Sequence, residues 1–376
     1  MKKTIFLFGA LICFFACTNK KQPEVPLIDA SAFAALVDGK NVALYTLKSG
    51  NGVYMQVTNF GTRVVSLFTQ DKDGNYEDIA LGFENIDRYL NNDGERFLGC
   101  VVGRYANRIA GGTFSLDEFV YNVPVNNNGQ SLHGGLKGLD MVVWDVDKVT
   151  HNEIVFSYLS PDGDEGYPGN VSFKMIYTLT SENEFKITYE ATTDKPTVIN
   201  LSHHGFFNLK GAGNGTITDH LLMLNASFIT PVDEVLIPTG EILSVYETPF
   251  DFRTPTVIGE RIDFENEQLK NGGGYDHNWV IDKINDGVEL VASLYEPVSG
   301  RYMEVWSDQP GIQFYSGNFF NGKTADKYGK TMNYREALAL ETQKFPDSPN
   351  HQHFPSTRLN PGEIYTQTCI YKFMTK

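Results

Sequence analysis

The sequence is poor in cysteine. Its 376 residues include four cysteines, and none stands in the CxxC or Cys/His spacing that is typical of a metal site. Cys13 and Cys17 lie in the N-terminal segment, so only Cys100 and Cys369 remain for the folded body. These two could form one disulfide or stay as two buried thiols, and the sequence leaves both alternatives open. We therefore predict no metal site.

Basic residues are scarce relative to acidic ones. The chain has 31 Lys and Arg against 46 Asp and Glu, which gives a formal net charge of −15 at pH 7. Because an acidic surface repels phosphate backbones, we expect no nucleic-acid partner. The charge is compatible with a soluble body that binds a neutral ligand.

The N-terminus lacks an apolar run long enough to cross a bilayer. Residues 5–16 form an uncharged, mostly apolar stretch of twelve residues behind Lys2 and Lys3, whereas a spanning helix needs about 20. This order predicts a signal peptide over residues 1–16. Ala16 followed by Cys17 resembles a bacterial lipobox, so we expect Cys17 to carry lipid. The protein would then be an exported lipoprotein of a Gram-negative cell envelope, in the periplasm or outer membrane, and would touch the membrane only through this anchor.

No internal repeat, low-complexity block or later linker divides the chain. Residues 17–40 are polar, contain Pro23 and Pro26, and predict a tether that follows the lipid-attachment cysteine, with a short helix over 31–36. The remaining residues, 41–376, are predicted to form a single domain.

Helical periodicity is rare, and alternation of apolar and polar residues is common. Residues 171–179 and 185–190 alternate with period two, which places one face of a strand on a core. Similar runs recur near 53–58, 63–69, 153–159, 288–295 and 365–373, whereas 84–89 and 264–269 are the short helix candidates. Many strands at close spacing predict an all-β fold, a large antiparallel β-sandwich with few short helices.

Reactive residues cluster with glycine turns in six segments. These segments are residues 103–112, 130–135, 200–209, 272–279, 310–318 and 340–347. Taken singly, each is a weak signal, since glycine beside a polar residue usually marks a turn. Glu341 is stronger evidence, because it follows the apolar run 337–340, where an unpaired carboxylate would be costly. His203 and His204 are adjacent, so in a strand they would face opposite sides and rarely bind one ion.

Together the segments resemble the aldose 1-epimerase, or galactose mutarotase, family. The resemblance runs over residues 42–373 and is carried by "GRYANRI", "SLHGG", "GGYDHNW", "PGIQFYSGN" and "LETQKFPDSPNHQHFPS", in that order. It implies a galactose mutarotase-like supersandwich. It also implies an isomerase of hexose and galactose metabolism that interconverts the α and β anomers of free aldohexoses such as glucose and galactose.

The resemblance also implies which residues act. Glu341 falls on the general base, His204 on the general acid, and His133 on a second histidine near the ring oxygen. The positions that bind substrate fall on Asn107, Arg108, Asp276 and Gln313. The family usually has Asn where this chain has His203, and the flanking "NLS" and "FFNL" fix the alignment on His204.

Exchange of anomers requires the sugar ring to open. A base removes the proton of the C1 hydroxyl while an acid protonates the ring oxygen; the C1–C2 bond then rotates and the ring closes on the other face. A carboxylate and an imidazole suffice, so no cofactor is required. We expect a free monosaccharide as the partner and a monomer or weak dimer.

Three rival functions fit parts of the pattern. A hexose-phosphate epimerase would need a cationic pocket for phosphate, and sugar phosphates do not meet an exported protein. A glycoside hydrolase would use Asp276 and Glu341 as its two carboxylates. A non-catalytic sugar-binding lipoprotein would not need both Glu341 and His204. The sequence does not identify the preferred sugar.

Overall fold

The computed structural model describes residues 25–91 and 94–376. The predicted signal peptide, residues 1–16, and the predicted lipid-attachment residue Cys17 lie outside the described residues. Within the described part of the chain, no helix is long and apolar enough to cross a membrane.

Strands make up most of the regular structure. In chain order they are β1 (Ala35–Val37), β2 (Lys40–Val42), β3 (Leu44–Lys48), β4 (Tyr54–Thr58), β5 (Val64–Gln70), β6 (Tyr76–Asp78), β7 (Val101–Val102), β8 (Arg108–Ile109), β9 (Thr113–Leu116), β10 (Phe119–Asn122), β11 (Ser131–Leu132), β12 (Asp145–Val149), β13 (Glu153–Ser160), β14 (Val171–Leu179), β15 (Glu184–Thr193), β16 (Thr197–Val198), β17 (Ser202–His203), β18 (Phe206–Phe207), β19 (Leu221–Leu224), β20 (Ala226–Thr230), β21 (Leu243–Ser244), β22 (Thr256–Val257), β23 (Asp276–Ile281), β24 (Glu289–Tyr295), β25 (Arg301–Ser307), β26 (Gly311–Tyr315), β27 (Leu338–Gln343), β28 (Arg358–Leu359) and β29 (Tyr365–Thr375).

These strands form three larger sheets and several two-stranded ribbons. A nine-stranded sheet has the order β12-β13-β14-β15-β29-β25-β24-β19-β22, and a six-stranded sheet has the order β18-β27-β26-β23-β20-β21. The strands β3 to β6 form a four-stranded sheet in chain order. Neighbouring strands pair antiparallel throughout the three sheets. The predicted all-β, antiparallel fold is confirmed.

The main core lies between the nine-stranded sheet and the other two sheets. Strand β14 shows why, because its alternate residues from Val171 to Leu179 are buried while most of those between them are not. Met175 of this strand shares one apolar cluster with Leu67 of β5 and Trp279 of β23. Burial of apolar surface on facing sheets, at about 25 cal/mol per Å², is what holds such a sandwich together.

Two short α-helices join the sheets. Helix α1 (Ile86–Leu90) begins after Asn85, whose side chain accepts a hydrogen bond from the Arg88 N–H. Helix α2 (Glu267–Gly272) begins after Asn266 and ends at Gly273, whose φ of 64° is left-handed. Both lie within three residues of the predicted helices.

Within residues 25–91 and 94–376, the remaining helical segments are six 3-10 turns. They are Ala30–Phe33, Ala110–Gly112, Leu139–Met141, Asp164–Gly166, Ile258–Glu260 and Ser348–Asn350.

The helix predicted over 31–36 is present only in its first half, and there as a 3-10 turn. This segment forms the 3-10 turn Ala30–Phe33 and then turns into β1, which pairs with β2. The reason is packing, because Phe33 is fully buried in a satellite apolar cluster with Val42 and Tyr89. Part of the predicted tether therefore contacts the body. Of the alternatives for the two body cysteines, Cys100 and Cys369 are buried free thiols.

Candidate active site

A polar cavity of about 250 Å³ lies beside the six-stranded sheet. It is lined by Glu95, Phe97, Asn107, Arg108, Asn127, Leu132, His133, His204, Phe206, Asp276, Tyr315, Phe319 and Glu341. Six of the seven predicted catalytic and substrate-binding residues are in this lining. The seventh, Gln313, lies directly behind it.

Three neighbouring strands supply one wall of the cavity. In the pairing of β26 with β27, Gln313 lies opposite Glu341, and in the pairing of β23 with β26, Asp276 lies opposite Tyr315. Residues directly opposite in an antiparallel pair share a face, as do residues two apart in a strand. The polar side chains therefore point to the cavity. Their neighbours, such as Phe314, point to the core.

A chain of hydrogen bonds orients this wall. Gln313 Nε2 donates to Asp276 Oδ1 at 2.7 Å, so that carboxylate keeps its second oxygen for a ligand. Gln343 Nε2 in turn donates to Gln313 Oε1 at 3.4 Å and to Asn278 Oδ1 at 3.2 Å. Burial raises the pKa of Asp276, against the opposing effects of Arg108 and Gln313. The amides thus fix the orientation of the Asp276 carboxyl group.

His204 faces Glu341 across the cavity. Its ring lies against Phe97, Phe206 and His133, with centroid separations of 5.8, 4.8 and 5.1 Å. His204 Nε2 is 3.5 Å from Glu341 Oε1. Both side chains are buried, and neither His204 Nδ1 nor Glu341 Oε2 has a hydrogen-bond partner within the described residues. Buried polar atoms normally have a partner, so both side chains retain unused hydrogen-bonding capacity.

His203 points the other way, into the core. Its ring packs edge-on against Tyr177, Phe185 and Tyr371, and neither of its nitrogens has a partner among the described residues. Burial lowers the pKa of His203 to about 3, so the ring is neutral. The structure thus brings His204 to the cavity and leaves His203, the last residue of β17, as a packing residue.

His133 and Asn107 hold each other in place. The His133 N–H donates to the Asn107 carbonyl at 2.9 Å, and the Asn107 N–H donates to His133 Nδ1 at 3.1 Å. Both residues have left-handed φ angles, 51° and 64°, which for residues other than glycine is a strained conformation typical of functional sites. Because Nδ1 accepts, the neutral His133 ring carries its proton on Nε2 and can donate from there.

Arg108 is the basic residue in the lining. It belongs to β8, which pairs with β11 so that Arg108 lies opposite Leu132, one residue before His133. Burial lowers the pKa of Arg108, and the charges of Asp276 and Glu341 oppose that change. A guanidinium remains charged under such conditions, so Arg108 can donate hydrogen bonds to a polar ligand in the cavity.

A buried ion network braces the loops behind the histidines. Arg96 donates from Nε and Nη2 to the two oxygens of Asp140 at 2.7 and 2.8 Å, and from Nη1 to the Gly135 carbonyl. Arg63 Nη2 lies 3.5 Å from Asp140 Oδ2 and donates to the Asp140 carbonyl. This network joins the segment that carries Phe97 to the segment after His133.

The acid–base pair is held in its uncharged form. Burial, followed by the charge of Asp276, raises the pKa of Glu341 well above its usual range. Burial lowers the pKa of His204 to about 3. Burial, followed by the charge of His204, also lowers the pKa of His133 well below its usual range. Perturbed titration in a cavity is a mark of acid–base chemistry.

Three of these side chains could also reach one metal ion. Ligand atoms of His133, His204 and Glu341 all lie within 4.8 Å of one another. However, the Asn107 N–H already occupies His133 Nδ1, so the proton of the neutral ring sits on Nε2, the atom that a metal would need. The protonation state favours a hydrogen-bonded ligand over an ion.

An all-β scaffold that encloses a buried carboxylate–imidazole pair in a small polar cavity defines an acid–base enzyme for a small polar substrate. The family model of aldose 1-epimerase matches residues 43–372. Galactose mutarotase of Bos taurus is 41% identical over 319 residues, which cover 85% of this chain and 90% of that protein. Aldose 1-epimerase of Escherichia coli (strain K12) is 34% identical over 341 residues, which cover 90% of this chain and 97% of that protein.

The solved structures agree. The structure of an aldose epimerase homologue from C. elegans has a TM-score of 0.80 at 30% identity and covers 89% of this chain and 99% of its own. The chain belongs to the aldose 1-epimerase family, and it is an enzyme that interconverts the α and β anomers of aldoses.

Sequence reasoning missed several residues of the lining. Tyr315 could have been predicted from the sequence, because it lies two positions after Gln313 in a fully buried strand and so shares the same face of that strand. Phe97 and Glu95 precede the nearest motif and follow no periodic pattern. They flank Arg96, which the ion network described above holds against Asp140.

Proposed function

We propose that Glu341 is the general base and His204 the general acid of anomer exchange, with His133 as a second donor at the ring oxygen. The observation that carries the proposal is the 3.5 Å separation of His204 Nε2 and Glu341 Oε1 inside the cavity. A sugar bound beside this pair would place its C1 hydroxyl at one group and its ring oxygen at the other. General acid–base catalysis of this kind contributes about 10²- to 10⁴-fold to a rate.

The two groups share one proton. In the empty cavity, the raised pKa of Glu341 and the lowered pKa of His204 keep that proton on the carboxyl group. Sugar hydroxyls and Arg108 would stabilise the carboxylate, so that binding moves the proton to His204. Glu341 then takes the proton of the C1 hydroxyl while His204 protonates the ring oxygen, and the open aldehyde forms. Rotation about C1–C2 and the reverse transfers close the ring as the other anomer.

The other predicted residues would bind the sugar. Asp276 has one carboxylate oxygen free of Gln313 and suits a hydroxyl donor, whereas Arg108 and the side chain of Asn107 suit hydroxyl acceptors. We propose that the substrates are free aldohexoses, glucose or galactose, in line with the names of the relatives. The proton transfers balance without a redox or Lewis-acid step, so we propose that no cofactor takes part.

Polarimetry tests the proposal directly. Purified protein added to fresh α-glucose or α-galactose should speed the approach to anomeric equilibrium far above the spontaneous rate. Aryl glycosides and hexose 6-phosphates serve as the rival substrates. Release of the aryl group would favour the hydrolase with Asp276 and Glu341, and preference for the phosphate would favour the phosphosugar epimerase. If the protein accelerates anomer exchange of none of these sugars, the non-catalytic sugar-binding lipoprotein would be the remaining candidate function.

We also propose that the chain is exported and anchored through lipid on Cys17, as a monomer or weak dimer in the cell envelope. The support is the order of basic, apolar and small residues before Cys17 in the sequence. Labelled fatty acid should enter the wild-type chain and not the Cys17→Ser variant. Equal labelling of the wild-type chain and the variant would refute lipid attachment at Cys17. Light scattering on the body without residues 1–24 measures the oligomeric state.

A further inference from the structure

Glu95 is a third carboxylate in the cavity, and the mechanism above leaves it without a role. It lies two residues before Phe97, whose ring packs on His133 and His204 with centroid separations of 4.6 and 5.8 Å. It therefore belongs to the side of the cavity that carries the histidines.

The carboxylate of Glu95 has spare capacity to accept hydrogen bonds. Its Oε1 accepts one from the Phe97 N–H at 3.2 Å, the single hydrogen bond that it makes within residues 25–91 and 94–376. The neighbouring Arg96 does not neutralise it, because that guanidinium is held by Asp140 and the Gly135 carbonyl. Burial raises the pKa of Glu95, and its charge helps to raise the pKa of Tyr315 across the cavity.

The chemistry of the sugar indicates which of its atoms Glu95 faces. The ring oxygen must lie beside the histidines to be protonated. In an aldohexopyranose the ring oxygen is bonded to C5, and C5 carries the exocyclic hydroxymethyl group, C6 with its hydroxyl. The segment that holds Phe97 against both histidines then lies beside C5 and C6. Glu341 and Asp276 belong to the opposite wall. In this orientation they lie towards C1 and towards the adjacent hydroxyls of the sugar ring.

We propose that Glu95 forms a subsite for the C6 hydroxymethyl group, accepting a hydrogen bond from its hydroxyl. This deepens the proposed function and rests on it. Such a subsite favours aldohexoses over aldopentoses, which lack C6. It also rejects sugars that carry a carboxylate or phosphate at C6, because Glu95 and Asp276 face Arg108 as the one Lys or Arg in the lining.

Two variants separate the hydrogen bond from the charge. Glu95→Ala removes the acceptor, and Glu95→Gln keeps an acceptor but removes the charge. Glu182→Gln is the matched control, because Glu182 is an exposed acid in the turn after β14, outside the cavity lining. Kinetics are followed by polarimetry with D-galactose, D-xylose and D-galacturonic acid, after subtraction of the spontaneous rate.

We expect Glu95→Ala to raise KM for galactose about tenfold or more, as for loss of a hydrogen bond to a charged group, with KM for xylose changed less than about twofold. Glu95→Gln should raise kcat/KM for galacturonate about tenfold or more. Equal changes for galactose and xylose would show that Glu95 only supports Phe97 and would overturn the subsite, as would no change for any sugar. Wild-type protein inactive on all sugars would instead refute the proposed function itself.

Discussion

His204 Nε2 lies 3.5 Å from Glu341 Oε1 in a cavity where burial disfavours the charge of both groups. Two groups this close titrate as a coupled pair, and the raised pKa of Glu341 and the lowered pKa of His204 favour the proton on the carboxyl group. In water at pH 7, by contrast, an isolated carboxylate is charged and an isolated imidazole is largely uncharged, and neither affects the other. This pair is therefore the proton source in the mechanism that we propose.

The first prediction concerns Glu341→Gln. The amide matches the carboxyl group in shape but cannot take a proton, so the catalysed rate should fall by about 10²- to 10⁴-fold. Polarimetry on fresh α-galactose measures it. Glu296→Gln, which changes a buried carboxylate outside the cavity lining, should keep the wild-type rate. A near-wild-type rate for Glu341→Gln would remove Glu341 from the mechanism.

The second prediction concerns stability: relative to wild type, the melting temperatures of Glu341→Gln and Glu296→Gln should change in opposite directions as the pH rises. The folded state raises the pKa of Glu341, so the protonated form stabilises the fold below about pH 4.5, and this contribution is lost as the pH rises towards the folded pKa. Glu341→Gln, always neutral, should gain melting temperature relative to wild type as the pH rises from 4 to 8. Burial alone would raise the pKa of Glu296, but hydrogen bonds from Ser299 and Val298 lower it overall.

The stability of Glu296→Gln should accordingly fall relative to wild type as the pH rises through the unfolded pKa of about 4.5. Differential scanning calorimetry at four pH values between 4 and 8 gives both trends. Parallel trends for the two variants would show that the environment of Glu341 does not favour its protonated form.

The third prediction separates the adjacent histidines. His204→Asn should lower the rate by about 10²-fold or more, because the amide cannot deliver a proton to the ring oxygen. His203→Asn should keep most activity, because His203 contacts aromatic rings of the core rather than the cavity. It should lose stability through the space that it leaves beside Phe185 and Tyr371. Rates in the reverse order would place the acid at His203.

The fourth prediction is the pH profile of kcat/KM. The competent free enzyme carries one proton on the pair, so activity is lost in acid when His204 takes a second proton, and in base when Glu341 loses the last one. Because the pKa of His204 is lowered to about 3, the fall of kcat/KM on the acid side should lie well below the pKa of a free imidazole. Polarimetric rates in constant-ionic-strength buffers test this, and a fall towards acid with a midpoint near about 6.5, the pKa of a free imidazole, would contradict it.

Much of the fold was predictable because alternation determines it locally. In β14, successive residues from Val171 to Leu179 face the core and the opposite side in turn. This alternation can be recognised from the sequence alone, without knowledge of any tertiary contact. The segment 31–36 shows the limit of such reasoning. Its strand depends on pairing with β2 and on the burial of Phe33 against Tyr89, and local propensity does not contain either contact.

The site divides in the same way. Asp276, Gln313 and Glu341 lie in motifs, and their common face follows from period two once β23, β26 and β27 are neighbours. The protonation of the pair was not predictable, because ordinary pKa values place a carboxylate below neutrality and an imidazole near it. Burial reverses that order, and burial is a property of the assembled sheets.

The last prediction concerns Asp140, which the sequence did not mark. Its side chain is fully buried between Arg63 and Arg96. Asp140→Asn keeps the shape but leaves the buried guanidinium of Arg63 uncompensated, which should cost about 3–5 kcal/mol of unfolding free energy in urea. Asp145→Asn is the control, because the Asp145–Lys40 pair is exposed and such pairs contribute about 0–1 kcal/mol. Because Arg96 also holds the segment of Phe97 beside His133, Asp140→Asn should raise KM as well. Equal losses of stability in the two variants would show that Asp140 is not the brace of the site.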